Sequence, residues 1–377
     1  MLFVTPVRAQ VLAVPRKASL FCVSARYAHD LAITRSGKPL ISYGPGGRSS
    51  RTGRVVTVFG ANGFLGRYLV SKFAREGTIV MVPYREEMQK RFLKVTGDLG
   101  VVNFVEFDPR NMTSMEAAIK EADVVYNFIG RDYTTKLYNF HDVNVEIPRR
   151  IANTVNKFGV DRLVHISSHD ASPYSPSEFL RTKYEGEQVV RDIVPSATIV
   201  RPSPVIGQES KIIKDILSFP YLTVNKNQQL IRPIHIHDLT EALFKIGHDD
   251  STVGKTYELF GDHAWQMKDL RLMCEVEAKK SYTEYNVPKK LYATVSDLLN
   301  KYLWWPVGCA DEVERKTIDQ KVDRNALAFA DLGMKPAIVQ DYIGQYVKHM
   351  RADLFMDVPP DSIAERKRER EYLHVSR

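Results

Sequence analysis

The chain has 377 residues, of which 44% are hydrophobic, and this is enough for a sizeable core in one large and one smaller domain. No charge-free stretch approaches the length that crosses a bilayer. The net charge is +8, but the bases lack the interleaved aromatic side chains of a nucleic-acid groove, so we expect no nucleic-acid partner. The three cysteines give no disulfide framework, which fits a reducing compartment.

The N-terminal segment has the composition of a mitochondrial presequence. Residues 1–29 contain no acidic side chain, while bases are spread among apolar and small residues. These bases are Arg8, Arg16, Lys17 and Arg26. We predict a presequence at residues 1–27 and a mitochondrial matrix location; the alternative is a disordered basic arm. Residues 28–53 follow as a glycine-rich, polar extension, either a linker or a docking arm.

A glycine-rich turn at residues 60–66 follows an apolar, β-branched run at 54–59, which predicts a buried parallel strand, and a helical pattern comes next. Two glycines allow the backbone to approach phosphates and the third allows the helix to pack close to the strand. Free N–H groups at the start of the helix add donors and positive potential. The segment predicts a nucleotide pyrophosphate site; the alternative is an ordinary glycine-rich turn. The candidate binding residues are Gly60, Asn62, Gly63, Phe64, Leu65, Gly66 and Arg67.

The end of the second predicted strand, at 78–85, indicates which nucleotide binds. NAD-specific proteins usually carry an acid there to hold the ribose 2′-hydroxyl, but this chain has Arg85. A guanidinium matches a 2′-phosphate, so we predict NADPH as the cofactor, with Arg67 assisting. The alternative leaves Arg85 as a solvated loop residue. We expect Asp108, at the end of the third predicted strand, near the adenine.

Strands and helices alternate along the first two thirds of the chain. After the first two strands, further ones are predicted at 101–108, 123–130, 162–168 and 197–202. This alternation predicts an α/β fold with a Rossmann-like, doubly wound parallel sheet and a smaller interleaved C-terminal α/β part. The expected division is an NADP(H)-binding domain at 54–250, with 203–235 contributing to the second part, and a smaller C-terminal domain and tail at 251–377.

The Gly-x-x-Gly-x-x-Gly spacing is typical of the extended and atypical branches of the short-chain dehydrogenase superfamily, which the chain resembles. Active members use a serine after the fifth strand and a Tyr-x-x-x-Lys pair on the next helix. Here Ser167 or Ser168 matches the serine and Lys183 the lysine, but Phe179 replaces the tyrosine. A benzene ring cannot donate a proton, so Ser167, Phe179 and Lys183 form a degenerate site without catalytic residues, in which Lys183 still binds the ribose.

Two further segments, residues 46–50 and 127–132, narrow the resemblance. Together with the glycine turn they are similar to the nucleotide-binding accessory subunits of mitochondrial respiratory complex I, from about residue 44 to residue 240 and more loosely beyond. The resemblance implies a peripheral protein on the matrix side of the inner membrane, bound to other complex I subunits. It would hold NADPH tightly and support assembly and stability of the matrix arm without turning the nucleotide over. The alternative is a free-standing matrix NADP(H)-dependent reductase or isomerase.

The C-terminal third of the sequence contains fewer motifs that indicate structure or function. His235 and His237 lie two apart, but no third ligand has supporting spacing, so we expect structural histidines and no metal site. Residues 287–306 combine an amphipathic pattern with lysines at the start and Trp304 and Trp305 at the end. This combination fits a peripheral contact with inner-membrane lipid, and equally an ordinary helix covering the second domain.

Overall fold

The computed structural model describes residues 29–351, except for 36, 45, 218–220, 280–282, 304–307 and 324–325, together with residues 375–376. The predicted presequence, the two tryptophans at 304 and 305 and most of the chain after residue 351 lie outside the described residues. Within the described part, no helix has both the length and the apolar composition needed to cross a membrane.

The strands, in chain order, are β1 (His29–Ile33), β2 (Pro39–Tyr43), β3 (Val55–Phe59), β4 (Ile79–Tyr84), β5 (Val102–Glu106), β6 (Val124–Asn127), β7 (Arg162–Ile166), β8 (Thr198–Pro202), β9 (Val205–Ile206), β10 (Tyr221–Thr223), β11 (Leu230–Ile231), β12 (Ile234–His235), β13 (Thr256–Leu259), β14 (Ala264–Gln266), β15 (Glu284–Asn286) and β16 (Val375–Ser376). The α-helices are α1 (Phe64–Arg75), α2 (Met112–Ile119), α3 (Ile147–Phe158), α4 (Glu178–Ile193), α5 (Lys211–Ile216), α6 (Ile236–His248), α7 (Met267–Ala278), α8 (Lys289–Tyr302), α9 (Ala310–Arg315) and α10 (Val339–Val347).

One parallel sheet organises the protein, with the strand order β13-β8-β7-β6-β3-β4-β5. The chain runs outward from β3 through β4 to β5, then returns to the other side of β3 at β6. This reversal is a topological switch point, at which the loops after the strands diverge and leave a crevice for a ligand. The Rossmann-like, doubly wound sheet predicted from the sequence is confirmed.

Helices cover both faces of this sheet, which explains why its central strands are apolar on both sides. On one face, Leu69 and Phe73 of α1 pack with Leu243 of α6. On the other face, Ile119 of α2 and Ile151 of α3 belong to a separate buried cluster. Full burial of an aliphatic or aromatic side chain of this size contributes about 1.5–3 kcal/mol, so both helix layers stabilise the sheet.

A second, smaller core lies beside the carboxyl edge of the sheet. It contains the fully buried Trp265 and side chains from α5, β11, α7 and α10. Its residues come from positions 206–231 and 265–347, on both sides of β13 in the chain. The smaller part is therefore interleaved with the main sheet in sequence.

The main sheet extends past residue 250, where the sequence suggested a domain boundary. β13 pairs with β8 and ends the sheet on that side. Later in the chain, Leu327 bridges to Tyr257, and Phe329 is buried in the core beneath α1 and α6. The segments that return to the main sheet, β13 and the residues at Leu327 and Phe329, are very short. The sequence therefore shows no recognisable periodicity there.

The N-terminal extension contains the antiparallel hairpin β1–β2. It is attached to the main domain by the buried Leu40 and by an ion pair of 2.7 Å between Lys38 Nζ and Asp123 Oδ1. Leu31 and Ile33 are exposed. An attached hairpin with exposed apolar side chains agrees with the docking-arm interpretation, which stays a prediction.

Candidate functional site

The glycine turn connects β3 to α1 at the carboxyl edge of the sheet. Gly60 has a φ of +77°, which L residues rarely adopt, and a Cβ there would lie 3.0 Å from the carbonyl carbon of Phe128. A Cβ at Gly66 would lie 2.5 Å from the Gly60 oxygen, so only glycine lets α1 start this close to the turn. A Cβ at Gly63 would meet only that oxygen, at 3.2 Å. Gly63 therefore keeps space open rather than allowing two segments to pack.

The start of α1 carries an unneutralised positive end. No acidic side chain lies in its first turn, and no side chain caps its first N–H groups in the described structure. These N–H groups and the helix dipole favour an anionic ligand. The local geometry is therefore that of a phosphate-binding turn.

Two cavities meet at this turn. The larger has a volume of about 720 Å³ and is bordered by Phe64, Leu65 and Gly66. The smaller has a volume of about 270 Å³ and is bordered by Asn62 and Arg85. Both are lined by Gly60, Gly63, Phe128, Gly130 and Arg131. Two compartments joined at a phosphate-binding turn match the shape of a dinucleotide, whose two halves are joined by a pyrophosphate.

Of the three residues predicted to contact the adenine half of the nucleotide, Arg85 lines a cavity and the other two do not. Arg85 lines the smaller cavity and is exposed, with no carboxylate paired to it among the described residues. Arg67 lines neither cavity, because its Nη1 lies 2.6 Å from Glu209 Oε1. Asp108 lies between two lining residues, Phe107 and Pro109, but its Oδ1 accepts the N–H of Arg110 at 2.9 Å. The structure therefore brings Arg85 to the cavity and leaves Arg67 and Asp108 with other partners.

The three residues of the degenerate site border the larger cavity together. Lys183 Nζ lies 3.4 Å from the Ile166 carbonyl oxygen, and Phe179 has its ring centroid 5.8 Å from Nζ. Burial lowers the pKa of Lys183 to about 8, although the nearby carboxylates of Asp132 and Glu187 raise it. Ser167 lines the same wall.

A neutral histidine stands behind Lys183. The Oδ1 of Asn127 accepts the N–H of Ile129 at 3.0 Å, which turns the amide nitrogen of Asn127 toward His165 Nδ1 at 3.2 Å. The amide therefore donates to Nδ1, and the imidazole proton resides on Nε2. Burial, together with the charge of Lys183, lowers the pKa of His165 to about 3. His165 is consequently uncharged near neutral pH and does not compete with Lys183 for an anion.

Two arginines outside the predicted set also line the cavities. Arg131 borders both of them, and no carboxylate is paired with it in the part of the chain that the structure describes. Its place directly after Gly130, in the turn that follows a strand, was a signal available in the sequence. Arg315 of α9 has its guanidinium carbon 4.5 Å from the Phe179 ring centroid. No sequence pattern connects Arg315 with Phe179, so the position of Arg315 at the cavity could not be predicted.

Helix α9 is fastened to the start of α4, the helix that carries Phe179 and Lys183. Asp311 accepts the N–H of Glu178 at 2.7 Å through Oδ1 and the hydroxyl of Ser177 at 2.8 Å through Oδ2. Ser177 is itself the N-cap of α4. The C-terminal part of the chain therefore fixes the position of the helix on which the degenerate site depends.

Orphaned polar atoms test whether these residues fit a dinucleotide. The Oδ1 of Asn62 and the Oγ of Ser167 are buried and have no hydrogen-bond partner among the described residues. One borders the smaller cavity and the other the larger. Buried polar atoms without partners are costly, and ribose hydroxyls or an amide would satisfy them. The open space at Gly63 and the two orphaned atoms together fit an NAD(P) molecule.

The two histidines of the C-terminal region form aromatic and hydrogen-bond contacts. His235 Nε2 lies 2.8 Å from the hydroxyl of Tyr346, and its ring stacks on Tyr342 at 4.3 Å. The two histidines lie on different elements, because β12 ends at His235 and α6 begins at Ile236. Among the residues that the structure describes, no group of three or more His, Cys, Asp or Glu is placed to hold a metal ion.

Comparison with known proteins agrees with this geometry. The mitochondrial NADH-ubiquinone oxidoreductase 40 kDa subunit of Neurospora crassa is 44% identical over 373 residues, covering 98% of this chain and 99% of that protein. The mitochondrial NADH dehydrogenase (ubiquinone) 1 alpha subcomplex subunit 9 of Mus musculus is 33% identical over 324 residues, 84% of each chain. The model of the NAD dependent epimerase/dehydratase family matches residues 56–258. The chain belongs to the mitochondrial complex I subunit branch of this family.

Solved structures show the same fold at low sequence identity. The NADPH-dependent quinone oxidoreductase of Escherichia coli, complexed with NADPH, superimposes with a TM-score of 0.60 and 17% identity. The alignment covers 78% of this chain and 99% of that chain. At this identity, the likeness establishes the Rossmann-like fold of this chain and does not distinguish NAD from NADP.

Proposed function

We propose that this chain is a non-catalytic accessory subunit of mitochondrial complex I that binds NADPH and supports the assembly and stability of the matrix arm near the membrane. The observation that carries the proposal is an open nucleotide site in which Phe179 stands at the position of the catalytic tyrosine. The full-length similarity to a complex I subunit supports the proposed partners, which are the other subunits of that complex.

NADPH is the nucleotide that the charges favour. Arg85 borders the smaller cavity as an unpaired cation, at the strand end where an acid would select NAD. Arg131 borders both cavities near the glycine turn and is placed to add charge for the pyrophosphate. Lys183 and the orphaned Ser167 hydroxyl supply donors at the other end. NADPH carries three anionic phosphates, and these cationic side chains lie at several points along the two cavities.

Hydride chemistry lacks the phenol that donates the proton in active members of the superfamily. Reduction of a carbonyl by NADPH requires a proton for the developing alkoxide, and a positioned donor contributes about a hundredfold to ten-thousandfold in rate. Phe179 has no proton to give, and the cations of Arg315 and Lys183 flank its ring. The site is therefore suited to holding the nucleotide rather than to turning it over.

A free-standing matrix reductase or isomerase is the second candidate, and one observation favours it. Tyr133 borders the larger cavity and packs against the cluster that contains Phe179, so a phenol is present there at another sequence position. If Tyr133 served as the donor, purified protein would oxidise NADPH with a carbonyl substrate. Tyr133→Phe would then abolish that turnover without displacing the nucleotide.

A peripheral lipid contact belongs to the same proposal. Helix α8 presents an exposed apolar face formed by Leu291, Val295, Leu298, Leu299 and Tyr302. These positions recur at helical spacing, and the exposed Lys290 and Lys301 are suited to anionic headgroups. The proposed occupant of this face is the matrix surface of the inner membrane.

Native gel electrophoresis of mitochondria that express the tagged chain tests the proposal, combined with nucleotide extraction from the purified protein. We expect the chain to migrate with intact complex I and to yield NADPH in preference to NADH. Migration as a monomer or small oligomer, with NADPH oxidation in solution, would favour the reductase instead.

A further inference from the structure

The larger cavity extends beyond the glycine turn toward the smaller part of the protein. Its volume of about 720 Å³ lies within the range of about 300–1,000 Å³ that small-molecule sites occupy. The near end, at Gly63, Ser167 and Lys183, is the part proposed for the nucleotide. The far end is bordered by α5, β10, β11 and α7, and it offers space for a second molecule.

The wall of the far end is mainly apolar, although Thr223, Asn227 and Gln229 also border it. Its apolar side chains are Ile212, Ile216, Leu222, Val224, Ile231 and Met267. Ile216, Val224 and Ile231 are buried, whereas Leu222 keeps 37% of its surface exposed although it faces the cavity. An apolar molecule in the cavity would remove this surface from water, which is favourable in proportion to the area covered.

Six charged side chains border the far end of the cavity and balance one another in charge. We call them the rim cluster, and they are Asp132, Lys211, Asp215, Glu312, Arg315 and Lys316. Lys211 Nζ lies 2.9 Å from Glu312 Oε1, and Lys316 Nζ lies 3.7 Å from the same oxygen. Arg315 Nη2 donates to the carbonyl oxygen of Asp132 at 2.7 Å. Three bases and three carboxylates leave no excess positive charge in this cluster.

Glu312 stays ionised within the rim cluster. Burial by itself would raise the pKa of its carboxyl, but Lys211, Lys316 and Arg315 together lower it below its ordinary value. The two lysines are therefore committed to a carboxylate. A diphosphate entering the far end would have to break these ion pairs before it found a cation.

The geometry points to a second ligand site, which rests on the proposed nucleotide function: the far end of the larger cavity binds a neutral molecule with an apolar chain, beside the NADPH. The apolar wall accommodates the chain, and the balanced rim cluster excludes anionic molecules such as nucleotide sugars. The subunit then holds two small molecules at the carboxyl edge of one sheet.

Binding of Nile red, a neutral apolar dye, to the full-length protein purified with its nucleotide tests this site by fluorescence. We expect saturable binding that 1-dodecanol displaces and UDP-glucose does not. Leu222→Trp, which fills the far end, should weaken dye binding at least about tenfold. Leu99→Trp, at a fully exposed leucine that lines neither cavity, is the matched control and should leave dye affinity unchanged.

Glu312→Gln tests the role of charge. Because it removes the carboxylate that neutralises Lys211 and Lys316, we expect UDP-glucose to gain affinity at least about tenfold while the dye still binds. Displacement of the dye by UDP-glucose in the unmodified protein, or equal effects of Leu222→Trp and Leu99→Trp, would overturn the proposal.

The NADPH content of the same samples separates this proposal from the proposed function. If NADPH is retained and Nile red does not bind, the second site fails alone. If the protein retains no NADPH, the proposed function fails. The second site is then tested by Nile red binding to the nucleotide-free protein, to its Leu222→Trp variant and to the control variant.

Discussion

Phe179 is held firmly between charged and aromatic neighbours. The guanidinium carbon of Arg315 lies 4.5 Å from its ring centroid, Lys183 Nζ lies 5.8 Å away, and the Phe140 ring packs edge-on at 5.9 Å. Cation–π contacts of this kind contribute about 0.5–2 kcal/mol each. The phenylalanine therefore has a packing role of its own, which a phenol would not improve.

This role leads to a prediction about catalysis. Purified protein with bound NADPH should show no steady-state oxidation with aldehydes, ketones, steroids or quinones, because no proton donor stands at position 179. Phe179→Tyr should add at most weak turnover and should leave incorporation into complex I unchanged, as measured by nucleotide absorbance and native gels. Robust turnover by the unmodified protein that is lost in Lys183→Ala would contradict the non-catalytic function.

Arg85 gives a second prediction at the scale of one residue. Arg85→Asp should reduce NADPH affinity at least about tenfold and reverse or abolish the preference over NADH, since a charge-assisted hydrogen bond contributes about 1.5–3 kcal/mol. Isothermal titration of the nucleotide-free protein measures both affinities. The matched control is Arg91→Asp, which makes the same charge change at an exposed residue that lines neither cavity. Equal affinities for both nucleotides before and after the change would remove Arg85 from the site.

Lys183 should make the stability of the nucleotide-free protein depend on pH. Burial lowers its pKa in the folded state to about 8, from an ordinary value of 10.5. Between these values the unfolded chain binds more protons at Lys183, so the contribution of Lys183 to the free energy of unfolding should rise with pH across this window, by roughly 3 kcal/mol in total. Urea denaturation from pH 7.5 to 10.5 measures the slope.

The control variants isolate this contribution. Lys183→Met should abolish the part of the slope that belongs to the buried ammonium. Lys157→Met, at an ion-paired lysine whose side chain is 60% exposed, should preserve the slope. The burial effect would be disproved by identical slopes in the unmodified protein and Lys183→Met.

The sequence revealed those site residues whose chemistry is encoded locally. The glycine turn, Lys183 and Phe179 were recognisable because their spacing is fixed within a few residues of one strand or helix. Arg67 and Asp108 line neither cavity, since Glu209 and the N–H of Arg110 compete for them in the folded chain, and their contacts with the nucleotide stay predictions. Such competing partners come from tertiary packing or turn geometry, which residue type alone does not report.

At the scale of elements, two glycines of the same turn have different roles. Gly63 leaves space for the ligand, and Gly66 allows α1 to pack on the turn. Gly63→Val should place a side chain where the pyrophosphate belongs, so nucleotide binding and the thermal stabilisation by NADPH should be lost. The nucleotide-free protein should lose much less thermal stability than the nucleotide contributed, because a Cβ at Gly63 makes one tight contact, at 3.2 Å from the Gly60 oxygen, and meets no other atom within 4 Å. Differential scanning calorimetry with and without NADPH measures both effects.

Gly66→Ala provides the contrast. Its Cβ would lie 2.6 Å from Ala61 Cα, so it should lower the melting temperature even without nucleotide. If Gly63→Val still co-purifies with NADPH, the turn does not hold the pyrophosphate. If Gly66→Ala leaves the melting temperature unchanged, the close packing of α1 on the turn does not contribute to folding stability.

The elements of the main sheet were predictable because parallel strands buried on both faces give continuous apolar runs. All five residues of β7 are buried, and the sequence located this strand to within two residues. The four-residue β13 was missed, since its burial alternates and its neighbour β8 is distant in the chain. Two-residue strands such as β9 and β12 have no periodicity to recognise.

At the scale of the whole molecule, the interleaved parts are joined by specific hydrogen bonds. The hydroxyl of Ser203, just after β8, donates to Gln320 Oε1 at 2.8 Å, and the N–H of Lys321 donates to Asp170 Oδ1 at 3.0 Å. The segment after α9 therefore lies across the carboxyl edge of the sheet. Nucleotide binding at this edge should stabilise both parts together, which is the expected property of a subunit that serves assembly.

The exposed face of α8 gives the last prediction, because it is where the whole molecule would meet the membrane. Leu298 is 55% exposed, so Leu298→Asp should change folding stability by less than about 0.5 kcal/mol. It should weaken co-sedimentation with vesicles of phosphatidylcholine and cardiolipin at least about tenfold, since the lost leucine burial and the added charge both oppose insertion. Asn300→Asp adds the same charge two residues later, on the opposite side of α8, and should weaken binding far less. If the two variants lose affinity equally, electrostatic repulsion alone explains the effect, and α8 makes no apolar contact with lipid.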